Sequence, residues 1–285
     1  LDSLPFNPGL GMAPFDISIV VVTYNNHDCL PACLDSLSRA LDGYTSQLVI
    51  VDNNSTDGTR QYLVDLSSFY FFFLFLQLND KNTGFTAGVN QGLRHCTGEF
   101  VLMLNPDMIF PDAVFPRLFD EFDQPDVGVV SPQFRFPNGR IQPSCRRLPR
   151  KRHVIYESLG LSRLFPGSKQ FNGWRMPDFD HRRNRDVEQP QGAFLLTRKS
   201  ILKEVGLLDE RFFMFFSDVE WCRRVLQHGY RIRFVADVHV VHMQGSSVKK
   251  RRAAMIITSH RSFVDYFLLH YFTAPPNLAT YLVVM

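Results

Sequence analysis

The chain has 285 residues, of which 45% are hydrophobic, and its formal net charge is +3 at pH 7. This composition excludes an intrinsically disordered chain and allows one large globular domain or two small ones. The sequence contains no uninterrupted apolar stretch of about 20 residues, so a segment that spans a bilayer is not expected either.

The first predicted unit is a strand, a helix and a second strand. Residues 17–22 are continuously apolar, which indicates a buried strand, and they are followed by Thr23-Tyr24-Asn25-Asn26. Apolar residues from 30 to 41 then recur at the spacing of one helical stripe, and Leu48–Val51 repeat the strand pattern. Asp52 and the turn-forming residues after it end this second strand. The order predicts a parallel unit with a right-handed crossover.

A third strand and a glycine-rich helix are predicted next. Residues 69–76 are all aromatic or aliphatic, are too few to cross a membrane, and fit a buried strand. In the segment that follows, Gly84, Gly88 and Gly92 are spaced four residues apart, which gives a helix one smooth face. Such a face suits close packing against another backbone and close approach of a ligand equally well.

The most informative strand is Phe100–Leu104, which runs directly into Asn105-Pro106-Asp107. Its uninterrupted apolar residues indicate a strand that is buried on both faces. Pro106 cannot continue a sheet ladder, so Asp107 is delivered just beyond the carboxyl end of the strand. Because ligands of open α/β sheets bind outside this edge, we expect the polar residues that end the predicted strands to converge on one cleft.

The second half of the chain begins with a long irregular region. Residues 137–190 are rich in Pro, Arg and Asn and have weak periodicity, which is typical of a binding loop or a mobile lid. A strand over 192–196 and a short helix over 198–205 are predicted after it.

A longer helix is predicted to begin at Ser217. Ser217 and Glu220 are spaced as a capping box, and an apolar stripe continues beyond them. Asp218 then lies in the first helical turn, where its charge either compensates the helix dipole or has a chemical role. The alternating residues 238–242 predict a last strand that ends in His242, and the pattern alone leaves this histidine open between a packed residue and a ligand.

Basic residues are clumped along the chain. Clusters occur at 146–152, 182–185 and 249–252, which indicates either an anionic partner or solvated loop charge. The tail over 253–285 mixes basic and apolar residues, and it fits an amphipathic helix on a membrane surface or a packed terminal helix.

The cysteines and the first residues bear on the cellular compartment. The five cysteines have neither the spacing of a zinc site nor an even-numbered disulfide framework. The first fifteen residues have no signal-peptide pattern, and the chain does not begin with Met, as in a fragment or a processed protein. We therefore expect reduced thiols in a cytoplasmic protein.

An ordered set of motifs connects these elements. The motifs are Val21-Val22-Thr23-Tyr24-Asn25, residues 51–59, the glycine segment 82–92, Asn105-Pro106-Asp107, Gly192-Ala193-Phe194, and Phe215, Asp218, Val219 and Glu220 with Arg224. In this order they resemble glycosyltransferase family 2, most closely its bacterial rhamnosyltransferase-like members. The resemblance covers about residues 17–250, and the ordered combination is more specific than any one motif.

The resemblance implies a GT-A fold, which is an α/β fold with a mixed, mostly parallel central sheet flanked by helices. We expect an N-terminal extension over 1–15, a single catalytic domain over 16–250 and a C-terminal helical segment over 251–285. Within the catalytic domain, residues about 16–110 would bind the nucleotide, and residues about 111–250 would bind the acceptor.

The resemblance also implies roles for individual residues. Thr23, Tyr24, Asn25 and Asp52 would contact the nucleoside; Asn82, Gly84 and Asn105 would border the donor; and Gly192 and Ala193 would line the sugar and acceptor pocket. Asp218 would be the general base. Asp107 would hold a divalent metal, Mg²⁺ or Mn²⁺, on the donor diphosphate, and His242 would complete the metal shell.

Two positions depart from the family pattern. Asn105 stands where the family has the first carboxylate of an Asp-x-Asp pair, so the negative charge at the metal is reduced, and a catalytically inactive family member is an alternative. Ser217 replaces the commoner acidic residue before the base, a position for which the capping box gives a local reason.

Together these expectations describe an inverting hexosyltransferase that requires a metal. With one candidate base and no nucleophile opposite it, a single displacement is the economical mechanism. The sugar, with rhamnose among the candidates, would move from a nucleoside diphosphate (dTDP, UDP or GDP) to a hydroxyl of a glycan or lipid-linked glycan. Such an enzyme of cell-surface polysaccharide synthesis would be cytoplasmic, with peripheral contact at the inner face of the cell membrane.

Two other classes of protein are alternatives. A nucleotidyltransferase that makes sugar nucleotides would share an α/β half, but it needs a phosphate-binding glycine loop with a basic residue near the N-terminus, and this chain has none. A nucleic-acid-binding protein would explain the arginine clusters but not the carboxylates at strand ends. We therefore expect no nucleic-acid partner.

Overall fold

The computed structural model describes residues 15–69, 73–111, 113–243 and 252–271. The expectations for residues 1–14, for the basic residues 249–251 and for the tail over 272–285 fall outside these ranges. Within them, no helix combines the length and the apolar character that crossing a bilayer requires.

Short strands and helices alternate along the first half of the chain. In chain order the strands are β1 (Ile17–Thr23), β2 (Ser46–Asp52), β3 (Leu74–Leu78), β4 (Phe100–Leu104), β5 (Met108–Ile109), β6 (Val127–Arg135), β7 (Ile141–Gln142), β8 (Cys145–Arg146), β9 (Arg185–Asp186), β10 (Gln189–Pro190), β11 (Phe194–Arg198) and β12 (Arg231–His242). The α-helices are α1 (Leu30–Ala40), α2 (Thr59–Phe69), α3 (Phe85–Leu93), α4 (Val114–Asp120), α5 (Lys151–Ser158), α6 (Leu161–Leu164), α7 (Lys199–Val205), α8 (Ser217–Gln227) and α9 (Arg252–Tyr271).

One mixed sheet organises the described residues. Its strand order is β3-β2-β1-β4-β11-β6-β12-β5, with β7 added beside β6 and β9 beside β12. The strands β3, β2, β1 and β4 are mutually parallel, and β12 is parallel to β6, whereas β11 is antiparallel to both of its neighbours. The predicted mixed, mostly parallel sheet flanked by helices is confirmed.

Helices cover both faces of this sheet, which is why its central strands are apolar on both sides. Alternate residues of β1 point to opposite faces. Ile19 and Val21 belong to a buried cluster with α1, α2 and α4, whereas Val20 and Val22 belong to a second cluster with α3, α7 and α8. The core is therefore two apolar layers that share the sheet.

The glycine face of α3 packs against β1. A Cβ atom on Gly88 would lie 2.8 Å from Cγ1 of Val22, and one on Gly92 would lie 2.5 Å from Cγ1 of Val20. At these two positions the spacing of four residues therefore serves close packing of a helix on the sheet, and the ligand alternative does not apply to them.

The predicted strand over 69–76 is wrong in its boundaries. The helix α2 continues to Phe69, and β3 spans Leu74–Leu78. An apolar run has no intrinsic marker for the point where a helix ends and a buried strand begins, so periodicity could not separate the two. The strand predicted over 192–196 is displaced by two residues and is β11.

The described part of the tail is a packed terminal helix. Tyr266 and Phe267 of α9 are buried in a third apolar cluster with Phe212 and with Val219 of α8. Of the two alternatives that the tail composition allowed, packing applies to this face of α9, while Ile256 and Ile257 remain exposed.

One edge of the sheet collects the segments that the sequence marked as polar. Thr23 of β1 is paired in register with Asp52 of β2. Because β11 runs antiparallel to β4, it begins where β4 ends, and the Asn105 N–H donates to the Ala193 carbonyl oxygen over 2.9 Å. The strand β12 runs in the same direction as β4 and ends at His242. The fold thus brings distant segments to a common edge.

Candidate active site

A cavity of about 730 Å³ opens at this edge of the sheet. Of the residues that the sequence marked for a site, those that line the cavity are Thr23, Tyr24, Asn82, Asn105, Asp107, Gly192, Ala193, Asp218 and His242. The other three, Asn25, Asp52 and Gly84, lie close to the lining residues without contributing to the wall. The cavity therefore brings together segments from both halves of the chain.

The turn after β1 is fixed by a buried asparagine. Asn26 accepts hydrogen bonds at its Oδ1 atom from the Tyr24 N–H over 2.9 Å and from the Thr23 hydroxyl over 3.2 Å. Asn25 adopts a left-handed backbone, and its Oδ1 accepts from the Thr56 N–H over 2.7 Å. Asn25 thus ties the turn after β1 to the turn after β2 and acts behind the cavity wall.

Asp52 lies behind the wall with one oxygen unpartnered. Its side chain is fully buried, and its Oδ2 accepts from the Ser55 N–H over 3.1 Å. Its Oδ1 is buried and has no hydrogen-bond partner among the described residues. Because an unpaired buried acceptor costs free energy, this oxygen would be stabilised by an N–H donor from outside the described residues.

Gly84 lies behind the wall and contacts three lining residues, Asn53, Asn82 and Phe213. Its φ of +91° lies in the left-handed region, and a Cβ atom there would lie 2.6 Å from the Phe213 carbonyl oxygen. Its own carbonyl oxygen accepts from Asn53 Nδ2 over 2.9 Å, and its N–H donates to Asn82 Oδ1 over 2.9 Å. Only glycine combines this backbone angle with this close approach.

Asp107 and His242 meet at one corner of the cavity. The Asp107 Oδ1 atom lies 3.4 Å from His242 Nε2, and the Asp107 carbonyl oxygen accepts from the Met243 N–H over 3.0 Å. The other ring nitrogen of His242, Nδ1, lies 3.1 Å from Gln142 Nε2. The Gln142 Oε1 atom is buried and has no partner among the described residues. Gln142 therefore orients the imidazole toward Asp107.

This corner fits a divalent metal that shares its shell with a substrate. A carboxylate and an imidazole are suitable ligands for Mn²⁺, and Mg²⁺ is commonly bound by one or two carboxylates together with substrate phosphates. Over the described ranges, no group of three His, Cys, Asp or Glu side chains is close enough to hold a metal ion by itself. The remaining ligands would have to come from a substrate and water.

Asp218 also lines the cavity and lies in the first turn of α8. Its Oδ2 accepts hydrogen bonds from the Gly192 N–H over 2.9 Å and from Gln189 Nε2 over 3.3 Å, and its Oδ1 accepts from the Val219 N–H over 2.9 Å. Burial raises the pKa of the Asp218 carboxyl, and the N–H donors of Gly192 and Val219 offset part of that rise. A carboxylate held by three donors with a raised pKa can accept a proton from a substrate.

The helix that carries Asp218 begins differently from the prediction. Ser217 is the first helical residue, and no side chain caps α8, so the predicted capping box is wrong. The Ser217 hydroxyl instead approaches the Met214 carbonyl oxygen at 3.5 Å, and Glu220 binds Arg224 through both carboxylate oxygens at 2.9 Å. The spacing of Ser and Glu therefore matched a capping box although both side chains make other contacts.

A strained phenylalanine precedes α8. Phe216 has a φ of +70°, a conformation that costs an L-residue about 1–2 kcal/mol. Its ring packs at 5.7 Å from that of Phe263 and at 5.6 Å from that of Tyr266, both on α9. Packing against α9 therefore holds the turn that positions Asp218.

Several lining residues received no site role from the sequence. They are Asn26, Asn53, Phe85, Gln191, the aromatic segment from Phe213 to Phe216, and Met255. The run of aromatic residues directly before Asp218 is a signal that could have identified one wall. Met255 belongs to α9 and follows Asp218 by 37 residues, and no local pattern connects the two.

Comparisons with known proteins agree with this geometry. A family model described as glycosyl transferase family 2 matches residues 18–206. The chain is 28% identical over 259 residues to an N-acetylglucosaminyl-diphospho-decaprenol L-rhamnosyltransferase of Mycobacterium tuberculosis. This match covers 86% of the present chain and 82% of the relative. It is 24% identical over 233 residues to a low-salt glycan biosynthesis hexosyltransferase of Haloferax volcanii, which covers 80% of this chain and 67% of the relative.

A solved structure shares the fold. The mannosyltransferase from Pyrobaculum calidifontis in complex with GDP-Man and Mn²⁺ superimposes with a TM-score of 0.60 at 19% sequence identity. The match covers 96% of this chain and 70% of the mannosyltransferase chain. At this level of identity the likeness concerns the GT-A fold alone.

Proposed function

The chain belongs to glycosyltransferase family 2 and has the GT-A fold, and we propose that it transfers a sugar, with inversion, from a nucleoside-diphosphate donor to a hydroxyl of a lipid-linked glycan. The observation that carries this proposal is that Asp107 and Asp218 line one cavity from opposite halves of the chain. Family membership favours sugar transfer over a nucleotidyltransferase or a nucleic-acid-binding protein.

Asp218 is the proposed general base. Its position on the wall lets it take the proton of an acceptor hydroxyl as that hydroxyl attacks the anomeric carbon, and its raised pKa strengthens it as a base. Asp107 is the other carboxylate among the described lining residues, and it faces His242. Since the described lining residues include no further carboxylate that could act as a nucleophile, a single displacement with inversion is supported.

Asp107 and His242 are the proposed ligands of a divalent metal, Mg²⁺ or Mn²⁺. When bound there, the metal would act as a Lewis acid on the donor diphosphate. The bound Mn²⁺ of the mannosyltransferase with the same fold supports this role. Asn105 contributes a neutral amide at the position of the first family carboxylate, so binding of the metal would depend more strongly on the donor phosphates.

The nucleoside is proposed to bind along the turns after β1 and β2. Thr23, Tyr24 and Asn25 belong to the first turn, and Asp52 ends β2 beside Thr23. The buried, unpartnered Oδ1 of Asp52 suits a base that presents a ring N–H, as uracil, thymine and guanine do. Asn82 and Gly84 would border the donor, and Gly192 and Ala193 the transferred sugar and the acceptor.

The acceptor is proposed to be a glycan carried on a lipid diphosphate. The Mycobacterium tuberculosis relative, whose name gives such an acceptor and rhamnose as the sugar, supports this choice. Rhamnose would be supplied as a dTDP sugar, and UDP and GDP sugars are the other candidates. With such an acceptor, the enzyme would act in the cytoplasm, at the inner face of the membrane.

A transfer assay with purified protein tests this function. The protein is incubated with Mn²⁺, a panel of dTDP, UDP and GDP sugars and a short-chain lipid-diphosphate N-acetylglucosamine, and products are identified by mass spectrometry. We expect one sugar to be transferred, with inverted anomeric configuration by NMR. D218N should abolish turnover and retain donor binding, whereas D42N, an exposed change remote from the cavity, should retain both. Full turnover by D218N would rule out Asp218 as the base.

A further inference from the structure

Exposed apolar side chains are concentrated on the short helices α5 and α6. Ile155, Leu159, Leu164 and Phe165 are 49%, 65%, 70% and 50% exposed. Among the described residues, these four are four of the ten large hydrophobic side chains that are exposed, although they fall within one short segment. We call these four residues the apolar face, and soluble surfaces rarely concentrate apolar side chains in this way.

The apolar face belongs to one packed unit. Ile155 and Leu159 are one helical turn apart, so they point in the same direction. The ring of Phe165 packs at 5.4 Å from that of Phe171, and Phe171 packs edge-on at 5.2 Å against Tyr156 of α5. These aromatic contacts hold the end of α6 against α5, so the four exposed side chains are presented on a fixed support.

The charge in the segment that carries the apolar face is mostly positive. The basic residues of the segment 150–171 are Arg150, Lys151, Arg152, Arg163 and Lys169. The single acidic residue in this segment, Glu157, forms an ion pair with Arg175. A surface that is both apolar and basic complements anionic phospholipid, in which phosphate groups surround an apolar interior.

A groove with the same character adjoins α5. Its volume is about 590 Å³, and its lining residues are Leu148, Arg150, Lys151, Arg152, Glu188, Arg223, Leu226, Gln227 and Tyr271. Leucine and tyrosine side chains form its apolar part, and Lys151 lies 5.9 Å from the centre of the Tyr271 ring. The groove continues the apolar and basic character of α5 toward α8, the helix that carries Asp218.

We propose that the apolar face docks on an anionic phospholipid bilayer, with its four side chains in the boundary between headgroups and acyl chains and the surrounding basic residues on the lipid phosphates. A second copy of the chain fits less well, because a symmetric contact would bring the same positive charges together. The proposal goes beyond sugar transfer, since it concerns where the enzyme is held.

Vesicle flotation of the full chain tests this docking. Vesicles of phosphatidylcholine alone are compared with vesicles of phosphatidylcholine and phosphatidylglycerol, at low and high salt. We expect binding to the anionic vesicles only, and weaker binding at high salt. The variant L159S/L164S should reduce the partition coefficient by about ten-fold or more, since it removes the two most exposed side chains of the apolar face.

A charge variant provides an independent arm of the test. The variant R163Q/K169Q neutralises two exposed cations. The loss of each cation should reduce the partition coefficient for anionic vesicles by about five-fold. V64S on α2 and K203Q on α7 are matched controls that change an exposed apolar residue and an exposed lysine elsewhere, and they should bind as the unchanged chain does. Thermal unfolding verifies that every variant is folded.

Failure of the docking proposal can be distinguished from failure of the proposed sugar transfer. Turnover on the short-chain acceptor in detergent-free solution should be the same in L159S/L164S as in the unchanged chain, because these residues lie outside the cavity. Equal binding of all variants to anionic vesicles would overturn the proposal. A second result would also overturn it: the unchanged chain binds no vesicles, and sedimentation velocity shows a concentration-dependent dimer that L159S/L164S dissociates. The apolar face would then be covered by a second copy of the chain.

Discussion

The N–H of Gly192 donates a hydrogen bond to Oδ2 of Asp218 over 2.9 Å, and a Cβ atom on Gly192 would lie only 2.8 Å from Cβ of Asp218. The start of β11 and the start of α8 therefore approach each other as closely as backbone and side chain allow. The proposed base is held by a residue that must be glycine.

Replacement of Gly192 by alanine should move Asp218 out of position. The new Cβ would lie 2.9 Å from Oδ2, so the carboxylate must shift, and a displacement of about 1 Å can cost about 100-fold in rate. We expect kcat in the transfer assay to fall by about that factor while donor affinity is retained. G167A, at a glycine with open space around it, should leave kcat unchanged. A G192A enzyme with normal kcat would contradict the tight fit.

The pH dependence of transfer should reflect the raised pKa of Asp218. The carboxylate must be ionised to act as a base, so kcat/KM should rise with pH through a pKa above the ordinary value of 3.8. The Gln189 side chain donates to Oδ2 and favours the charged form of Asp218. Q189L should therefore move the rise of kcat/KM to higher pH. Initial rates across pH measure both effects. If kcat/KM of Q189L rises over the same pH range as that of the unchanged chain, a group other than Asp218 controls the pH dependence.

Loss of Asp107 should remove the contribution of the metal to donor binding. In the unchanged chain, a chelator is expected to weaken the binding of a nucleoside diphosphate, because the metal would bridge the phosphates to Asp107 and His242. In D107A the affinity should be the same with and without chelator. Isothermal titration with dTDP, UDP and GDP measures this difference. If chelation has no effect on the unchanged chain, the metal bridge does not exist.

Gln142 should act through His242. Because its side chain contacts Nδ1 of the ring at 3.1 Å, removing it in Q142A frees the imidazole to turn. Outer partners of metal ligands typically contribute about 10-fold to 100-fold in metal affinity, so the Mn²⁺ concentration that half-maximally promotes nucleotide binding should rise by about that factor. Q61A, an exposed glutamine on α2, serves as the control. Nucleotide binding without metal should not change in Q142A. If the substitution instead unfolded the site, nucleotide binding would be lost both with and without Mn²⁺.

Arg224 should contribute strongly to stability. It binds the buried Glu220 through two bonds of 2.9 Å and donates to the carbonyl oxygens of Val205 and Leu207 over 2.6 and 2.7 Å. R224L leaves Glu220 buried without its partner, which should lower the free energy of unfolding by about 3–5 kcal/mol.

A matched pair elsewhere provides the control for Arg224. Arg39 and Asp35 have the same spacing of four residues, but both side chains are exposed, so R39L should cost less than about 1 kcal/mol. Urea unfolding followed by circular dichroism compares the two variants. Similar losses in both would contradict the distinction between buried and exposed pairs.

Local patterns were sufficient for much of the fold and part of the site. The apolar runs of β1, β2 and β4, and the polar residues that end them, predicted a common edge because parallel strands share direction. The run 69–76 misled because helix ends and buried strands have the same composition. The Ser217–Glu220 spacing predicted a capping box that the structure does not have. The Glu220 carboxylate binds Arg224 instead, a contact that spacing does not reveal.

The sequence by itself determined which residues end the strands and which motifs accompany them, since the spacing of apolar residues and the turn chemistry are local properties of the chain. Only the tertiary structure decided that His242 reaches Asp107, that Gly192 fits against Asp218 and that α9 supports Phe216. Each of these contacts joins segments that are distant in the chain, and strand register and core packing bring them together. No local pattern encodes such distances.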